Sequence, residues 1–366
     1  MGQDPHDPAA AAALQRAFQH YQSGDFGTAA AQLQALLTRE PDHPEARLRL
    51  AICLQRLDRH AEVLALADAL LAQDPARPVL LDLRAKSLWR LGRLDEAAAA
   101  GTAALRAKDA AQPDLQPPWP LPAGPLPPGR GVVSMSLWGA QPRHLRGALR
   151  NALLMPDVYP AWCLRVHADD SVPAPFLEAL RALQVDLRLQ PAGQTLRQRQ
   201  CWRFAVADDP AVGRYLVRDA DAVISPREAA LVEAWVGSGR HFHVIRDWWT
   251  HTEPMLAGLW GGVVGALPPM AEALARSDPG HDEDPGADQT FLRTRVWPRV
   301  RRHVLVHDRC FSMPGSLRVP APMGAFHIGQ DEHAAHPRRQ RALLAAWIER
   351  LPCLQDPADD APGPGA

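Results

Sequence analysis

Apolar residues recur at helical spacing in the first third of the chain. The positions with this spacing are Leu33, Leu36, Leu37, Leu66, Leu70 and Leu71. Residues three and four apart share one face of a helix, so each set predicts an amphipathic helix. One pair of helices cannot bury such a face by itself, but stacked pairs can. The pattern therefore predicts a stack of helical pairs.

A period of 34 residues underlies these helices, because Gly24, Asp58 and Gly92 are equally spaced along the chain. Other positions keep the same register: Phe26, His60 and Leu94; Ala29, Val63 and Ala97; Pro41, Pro75 and Asp109. A period of this length is typical of stacked helix–turn–helix units.

The segments 23–30 (SGDFGTAA) and 91–98 (LGRLDEAA) resemble tetratricopeptide repeats. That family has a glycine at the turn, an aromatic residue two positions later and an alanine where the helices cross. The middle unit, 57–64 (LDRHAEVL), departs from the pattern because Asp58 replaces the glycine and His60 replaces the aromatic residue. The resemblance implies an all-α domain of three repeats.

We place these repeats at residues 10–109. The resemblance implies a concave surface for a peptide or protein partner; a packing or oligomerisation module with no specific ligand is the alternative. Residues 110–130 are rich in proline, which predicts a semi-rigid, extended linker. The acidic, Pro- and Gly-rich segment 353–366 is expected to be a disordered tail.

Residues 131–352 show strands alternating with helices. Apolar, β-branched runs at 132–139, 161–169 and 185–190 predict strands, and helical patterns separate them. The alternation predicts an α/β domain with a mostly parallel sheet. In such sheets the ligand lies outside the carboxyl ends of the strands.

The sequence RDAD, Arg218 to Asp221, directly follows the apolar strand that ends in Tyr215, Leu216 and Val217. Two carboxylates at a spacing of two, at the end of a strand, can bind one divalent cation. Oxygen ligands suit Mn²⁺ or Mg²⁺. The alternative is a solvated turn with ion pairs to Arg218 and Arg227.

The surrounding segment, 202–235, resembles the nucleotide-sugar half of GT-A glycosyltransferases that carry a DxD motif, and residues 238–265 resemble the continuation of a bacterial group of such proteins. The resemblance covers about residues 131–330, including DQTFL (288–292) and FHIGQ (326–330). It implies a GT-A-like, Rossmann-like α/β fold and a UDP- or GDP-linked nucleotide sugar as donor.

The resemblance also implies roles for particular residues. Asp219 and Asp221 would be metal ligands, with His327 as the third ligand and His307 as its alternative. In the structural alternative, His327 is an ordinary hydrogen-bonded polar residue. Arg203 lies where the family has an arginine-bearing helix before the DxD strand.

Arg203 and Arg218 would pair with phosphate or with the DxD carboxylates, because guanidinium groups suit both. Asp247 or Asp288 would orient the acceptor hydroxyl or remove its proton, and nothing in the sequence separates these two.

The overall composition argues against several classes of binding partner and site. The formal net charge is −1, so no nucleic-acid or membrane binding is expected from overall charge. Five scattered cysteines without a CxxC pair argue against zinc and disulfides. No signal peptide and no long apolar run are evident in the sequence, so a cytoplasmic location is expected. The abundance of Ala, Arg and Pro is typical of a GC-rich bacterial genome.

Together with the RDAD motif, the resemblance to GT-A glycosyltransferases implies a metal-dependent glycosyltransferase that moves a sugar from a nucleotide donor to an unknown acceptor. The alternative is a tetratricopeptide scaffold with a degenerate, non-catalytic transferase-like domain.

Overall fold

The computed structural model describes residues 8–115, 130–276, 286–322 and 326–357. Most of the predicted linker and of the predicted tail lies outside these residues. The chain forms two compact units. The first contains residues up to Ala111 together with Trp249–Glu253 and Cys310–Met313, and the second contains the remaining residues.

The first unit is built from helices that each pack against the next along the chain. They are α1 (Pro8–Gln22), α2 (Phe26–Arg39), α3 (Pro44–Arg56), α4 (His60–Leu71), α5 (Pro78–Arg90) and α6 (Leu94–Ala110). Ala29, Val63 and Ala97, which share one register position, are fully buried. The prediction of helical repeats is confirmed.

The turns between paired helices explain why the register survives in the irregular middle unit. Gly24 and Gly92 adopt left-handed backbone conformations with φ of 81° and 75°, and Asp58 does the same with φ of 56°. Asp tolerates this conformation better than most residues, because its side chain forms local hydrogen bonds. Its Oδ1 lies 3.2 Å from His60 Nε2 and 3.0 Å from Arg90 Nη2. Asp58 therefore replaces glycine without changing the turn.

The second unit contains one mixed sheet with the strand order β3-β2-β1-β4-β6-β5-β7-β8. The strands are β1 (Arg130–Leu137), β2 (Trp162–Ala168), β3 (Asp186–Leu189), β4 (Val212–Arg218), β5 (Phe242–Arg246), β6 (Leu259–Val263), β7 (Val304–Asp308) and β8 (Leu317–Arg318). Strand β6 runs antiparallel to its neighbours β4 and β5, while the other pairs are parallel. The predicted mostly parallel α/β sheet is confirmed.

Helices connect these strands or follow the last of them. They are α7 (Pro142–Val158), α8 (Ala174–Ala182), α9 (Leu196–Cys201), α10 (Pro226–Gly237), α11 (Met270–Ala275), α12 (Ala287–Phe291), α13 (Trp297–Val300), α14 (Glu332–Ala335), α15 (Pro337–Leu343) and α16 (Ala345–Arg350). A 3₁₀ helix at Trp202–Asp208 follows α9, and a π-helix at Leu292–Val296 follows α12. A short 3₁₀ helix, Pro352–Leu354, ends the described fold. No helix within the described residues is long and apolar enough to cross a bilayer.

The strand order reverses at β1. The chain passes from β1 to β2 and β3 on one side, and then places β4 on the other side of β1. Such a reversal opens a crevice at the carboxyl ends of the two strands, where open α/β sheets bind their ligands. Here those ends are Leu137 in β1 and Arg218 in β4.

Candidate functional site

A cavity of about 610 Å³ opens at this reversal. Its volume falls in the range of small-molecule binding sites, roughly 300–1,000 Å³. The residues that line it come from the ends of β1 and β4, the start of α7 and α12, α9 and the 3₁₀ helix after it, and the loops before β6 and α14. They are Ser136, Leu137, Trp138, Arg143, His144, Gln200, Arg203, Asp219, Ala220, Asp221, Ala257, Gly286, Asp288, Gln289, Gly329 and Asp331.

Arg203 joins two of the predicted carboxylates at the floor of the cavity. Its Nη1 donates to Asp219 Oδ1, and its Nη2 donates to Asp288 Oδ2 at 2.8 Å. Burial alone would lower the pKa of this guanidinium, but the charges of Asp219 and Asp288 raise it above its ordinary value. Burial raises the pKa of Asp288; Arg203 opposes this rise, and the charge of Asp219 adds to it.

Asp221 meets a second arginine. Arg143 Nη2 lies 2.5 Å from Asp221 Oδ2, and Arg143 Nε lies 2.8 Å from Asp331 Oδ2. His144 Nε2 is 3.8 Å from the same oxygen of Asp221. Burial and then the charge of Asp219 raise the pKa of Asp221, although Arg143 lowers it. The site thus holds several carboxylates in mutual repulsion, partly neutralised by arginines.

One face of α7 positions the loop that carries Asp219 and Asp221. Asn151 is fully buried, and its Nδ2 donates to the Ala222 carbonyl at 3.0 Å while its Oδ1 accepts from Ile224 N–H at 2.9 Å. Gly147 lies one turn earlier and has no side chain to separate the helix from this loop. Residues four apart lie on one helical face, so Arg143, Gly147 and Asn151 all reach the loop.

The loop after β5 closes the cavity beside Asp219. Gly258 lies so close that an added Cβ would stand 2.0 Å from Asp219 Oδ2. Gln289 fixes this loop, since its Oε1 accepts from Ala257 N–H at 2.9 Å and its Nε2 donates to the Met255 carbonyl at 2.6 Å. In the Asp-Gln pair singled out in the sequence, Asp288 therefore faces the cavity while Gln289 braces its wall.

Arg218 does not line the cavity, although it adjoins Asp219 in sequence. It is 1% exposed, and its Nε donates to Glu228 Oε1 at 2.8 Å. Its Nη1 donates to the Val217 carbonyl at 2.7 Å and the Trp260 carbonyl at 3.0 Å. Consecutive strand residues point to opposite faces. Arg218 thus stabilises the end of β4 from within the protein, and the structure does not support its predicted contact with phosphate.

Asp247 also lies outside the cavity lining. Its Oδ1 accepts from Arg227 Nη2 at 2.8 Å, and its Oδ2 accepts from Arg227 Nη1 and, at 2.8 Å, from the Ile328 N–H. Its side chain is fully buried. Asp247 therefore holds the loop around Ile328 in place, and this arrangement does not fit the predicted role of orienting an acceptor hydroxyl.

The two candidate histidines occupy other surroundings. His327 stacks on Trp248 with ring centroids 4.4 Å apart, and its Nδ1 lies 3.0 Å from the Ile328 carbonyl oxygen. His307 is buried, and its Nδ1 is 2.8 Å from His243 Nε2. Neither histidine is among the described residues that line the cavity. Burial lowers the pKa of both, to about 4 for His307.

The structure thus brings together Asp219, Asp221, Asp288 and Arg203 from the predicted set. Two further charged residues at this cavity, Arg143 and Asp331, were missed by sequence reasoning. Asp331 directly follows the FHIGQ segment, so its place beside that segment was an available signal. The sequence around Arg143 predicts only the helix α7 and does not mark Arg143 as a site residue.

The donor chemistry of the site fits a hard divalent cation, because Asp219, Asp221 and Asp331 all border the cavity and supply carboxylate oxygens. Within the described residues, however, no group of three or more His, Cys, Asp or Glu side chains is arranged to hold a metal ion. The ion pairs above give the reason: Asp219 turns to Arg203, while Asp221 and Asp331 turn to Arg143.

Comparison with known proteins supports the N-terminal interpretation. Residues 20–87 match the family model of the tetratricopeptide repeat, which confirms the repeats in that segment. No curated protein matches this chain.

Solved structures with partial similarity include MamA from Desulfovibrio magneticus RS-1, with 19% identity, coverage of 27% of this chain and a TM-score of 0.26. This chain spans 55% of that MamA chain. An O-GlcNAc transferase mutant from Thermobaculum terrenum is 16% identical over 59% of this chain and 47% of its own, with a TM-score of 0.31. A protein assigned as a nucleotide-diphospho-sugar transferase from Desulfovibrio desulfuricans G20 is 14% identical, and the match covers 49% of this chain and 80% of that one, with a TM-score of 0.33.

Proposed function

We propose that the second unit is a glycosyltransferase that binds a nucleotide sugar together with Mn²⁺ or Mg²⁺. The observation that carries this proposal is the meeting of Asp219, Asp221 and Asp288 at a cavity on the strand reversal between β1 and β4. A nucleoside diphosphate needs positive charge around its phosphates, and the cavity offers carboxylates for a cation as well as Arg203 and Arg143.

Asp219 and Asp221 would hold the cation, with Asp331 as the third ligand in place of His327. When bound, the cation would neutralise negative charge on the departing nucleoside diphosphate. Arg203 is buried and rigidly paired, so it would keep Asp219 oriented and add a fixed positive charge near the phosphates.

Asp288 is the better candidate for proton removal, because it lines the cavity whereas Asp247 does not. In the proposed reaction, the acceptor oxygen bonds to the anomeric carbon as that carbon's bond to the phosphate oxygen breaks. The acceptor proton passes to Asp288, and the electron pair leaves with the nucleoside diphosphate. A carboxylate whose pKa is raised by burial is a stronger base than an exposed one.

A thermal-shift series with UDP and GDP, each with and without Mn²⁺, tests this proposal. Ligand at about 100 times its dissociation constant stabilises a fold by roughly 2.7 kcal/mol, which is readily measured. The full chain should show its largest rise in melting temperature when nucleotide and cation are both present. Asp221→Asn should lose this rise and keep its fold.

Asp209→Asn is the matched control, because Asp209 pairs with Arg165 and does not line the cavity. It should keep the full ligand-induced rise. A rise that persists in Asp221→Asn would exclude Asp221 as a cation ligand.

The alternative function is a scaffold in which the repeats bind a protein or peptide partner and the second unit has no transferase activity. The pairing of Asp219 and Asp221 with arginines favours it, because carboxylates tied to arginine can serve structure alone. This alternative expects no nucleotide effect on wild-type melting and a loss of stability in Asp221→Asn. The same melting series therefore separates the two functions.

A further inference from the structure

Arg143 bridges two carboxylates from distant parts of the sequence. Its guanidinium lies 2.5 Å from Asp221 and 2.8 Å from Asp331. Ala222 and Asp331 also form an isolated antiparallel bridge, which brings the loop before α14 alongside the loop after β4. Arg143 thus neutralises negative charge at the point where these two loops meet.

The three partners differ in freedom to move. The side chain of Arg143 is 51% exposed, while those of Asp221 and Asp331 are 13% and 16% exposed. A long, half-exposed side chain at the start of a helix can turn into solvent without opening the core. The carboxylates cannot separate as easily, because Asn151 and the bridge to Ala222 hold their loops in place.

We propose that Arg143 is an internal counter-cation that holds Asp221 and Asp331 together until a divalent cation replaces it. The inference rests on the proposed function, since it requires that these carboxylates bind a cation. A divalent ion carries twice the charge of a guanidinium and contacts the carboxylate oxygens directly, so it displaces Arg143. The displaced guanidinium stays at the cavity wall.

This role predicts opposite effects on stability and on cation affinity. Arg143→Gln removes the guanidinium that Asp221 and Asp331 share, so the variant should melt lower than wild type in EDTA. The same change removes the competitor for the cation. Mn²⁺ should therefore bind Arg143→Gln about fivefold more tightly, the factor expected from losing a partly exposed ion pair of about 1 kcal/mol. The difference in melting temperature between wild type and Arg143→Gln should therefore be smaller in saturating Mn²⁺ than in EDTA.

Arg150→Gln is the matched control. Arg150 lies on the same helix and its Nε is 3.2 Å from Glu332 Oε2, so it ties α7 to the start of α14, next to Asp331, without lining the cavity. Because the ion pair between Arg150 and Glu332 is structural only, Arg150→Gln should lose the same amount of stability with and without Mn²⁺. Its affinity for Mn²⁺ should equal that of wild type.

The experiment titrates MnCl₂ alone into the full-length wild type, Arg143→Gln, Arg150→Gln and Asp221→Asn by calorimetry, with melting curves in parallel. Tighter binding by Arg143→Gln only, or binding by Arg143→Gln where wild type binds none, supports the proposal. Equal or weaker binding by Arg143→Gln, with binding lost in Asp221→Asn, overturns the counter-cation role and leaves the proposed function standing. Absence of binding in every protein, with UDP or GDP also present, overturns both.

Discussion

Gly147 of α7 lies directly against the main chain of Ala220, and a Cβ at position 147 would stand 2.3 Å from the Ala220 carbonyl oxygen. The same added atom would be 2.6 Å from the Cα of Asp221. This contact allows the helix to approach closely enough for Asn151 to hydrogen-bond the loop. The geometry of the Asp219–Asp221 pair therefore depends on a glycine that precedes it by many residues in the sequence.

Gly147→Ala should lower the free energy of unfolding by about 1–3 kcal/mol, the usual cost of overpacking a tight interior. The clashing atoms belong to the main chain, so the loop itself must shift. We expect the nucleotide- and Mn²⁺-induced rise in melting temperature to fall as well. Chemical denaturation and the melting series measure the two effects.

Gly237→Ala is the control for this substitution. Gly237 is the last residue of α10, and apart from its chain neighbours and the backbone of its own helix no described atom lies within 4 Å of a Cβ built there. The free energy of unfolding of Gly237→Ala should stay within about 1 kcal/mol of the wild-type value. If Gly147→Ala and Gly237→Ala lose equal stability, the contact of residue 147 with Ala220 does not cause the loss in Gly147→Ala.

Gly258→Ala should affect ligand binding more than stability. The added Cβ would meet the end of the Asp219 side chain, which is 48% exposed and can turn away. We expect a change in unfolding free energy below about 1 kcal/mol. Asp219 would leave its position beside Arg203, so Mn²⁺ affinity should fall. Calorimetry with MnCl₂ checks the affinity, and unchanged affinity would show that the position of Asp219 does not matter for the cation.

Two glycines of one repeat should respond oppositely to alanine. Gly24 has a left-handed backbone with φ of 81° and ample space around it, so Gly24→Ala should cost about 1–2 kcal/mol through conformation alone. Gly27 lies in the first turn of α2 with helical geometry, so Gly27→Ala should raise stability by up to about 1 kcal/mol. Urea denaturation of the full chain measures both, and a loss in Gly27→Ala alone would contradict the assignment of the turn.

The second unit should lose stability in mild acid through the buried pair His243 and His307. Burial lowers the pKa of both, and the charge of His307 and of Arg218 lowers that of His243 further. The folded state therefore takes up protons less readily than the unfolded chain. The stability from this pair is fully present above pH 6.5, the ordinary histidine pKa, and is lost as the pH falls toward about 4.

Between these pH values, each histidine changes the free energy of unfolding by at most about 1.4 kcal/mol per pH unit. His307→Gln should flatten the slope between pH 6.5 and 5 relative to wild type, even if it lowers stability at neutral pH. Denaturation curves at several pH values provide the comparison. An unchanged slope would assign the acid sensitivity to other groups, such as the buried His167, whose pKa burial lowers to about 4.

Local patterns were enough to predict the architecture. The 34-residue register located the turns at Gly24, Asp58 and Gly92 because a left-handed turn recurs with each helical pair. Apolar runs located β1, β2 and β4 because strands buried on both faces consist of such runs. The place of Asp219 and Asp221 at the end of β4 followed from the same reasoning.

Which candidate side chains share the cavity was decided by the tertiary structure. Asp247 and Asp288 look equivalent in sequence, yet only Asp288 lines the cavity, since Arg227 and the Ile328 main chain engage Asp247. Arg143 has only a helical pattern around it and Asp331 only its place after FHIGQ, and they meet because α7 and the loop before α14 pack against the end of β4. Backbone periodicity is set by neighbours along the chain, whereas the direction and partner of a loop side chain are set by elements that only folding brings together.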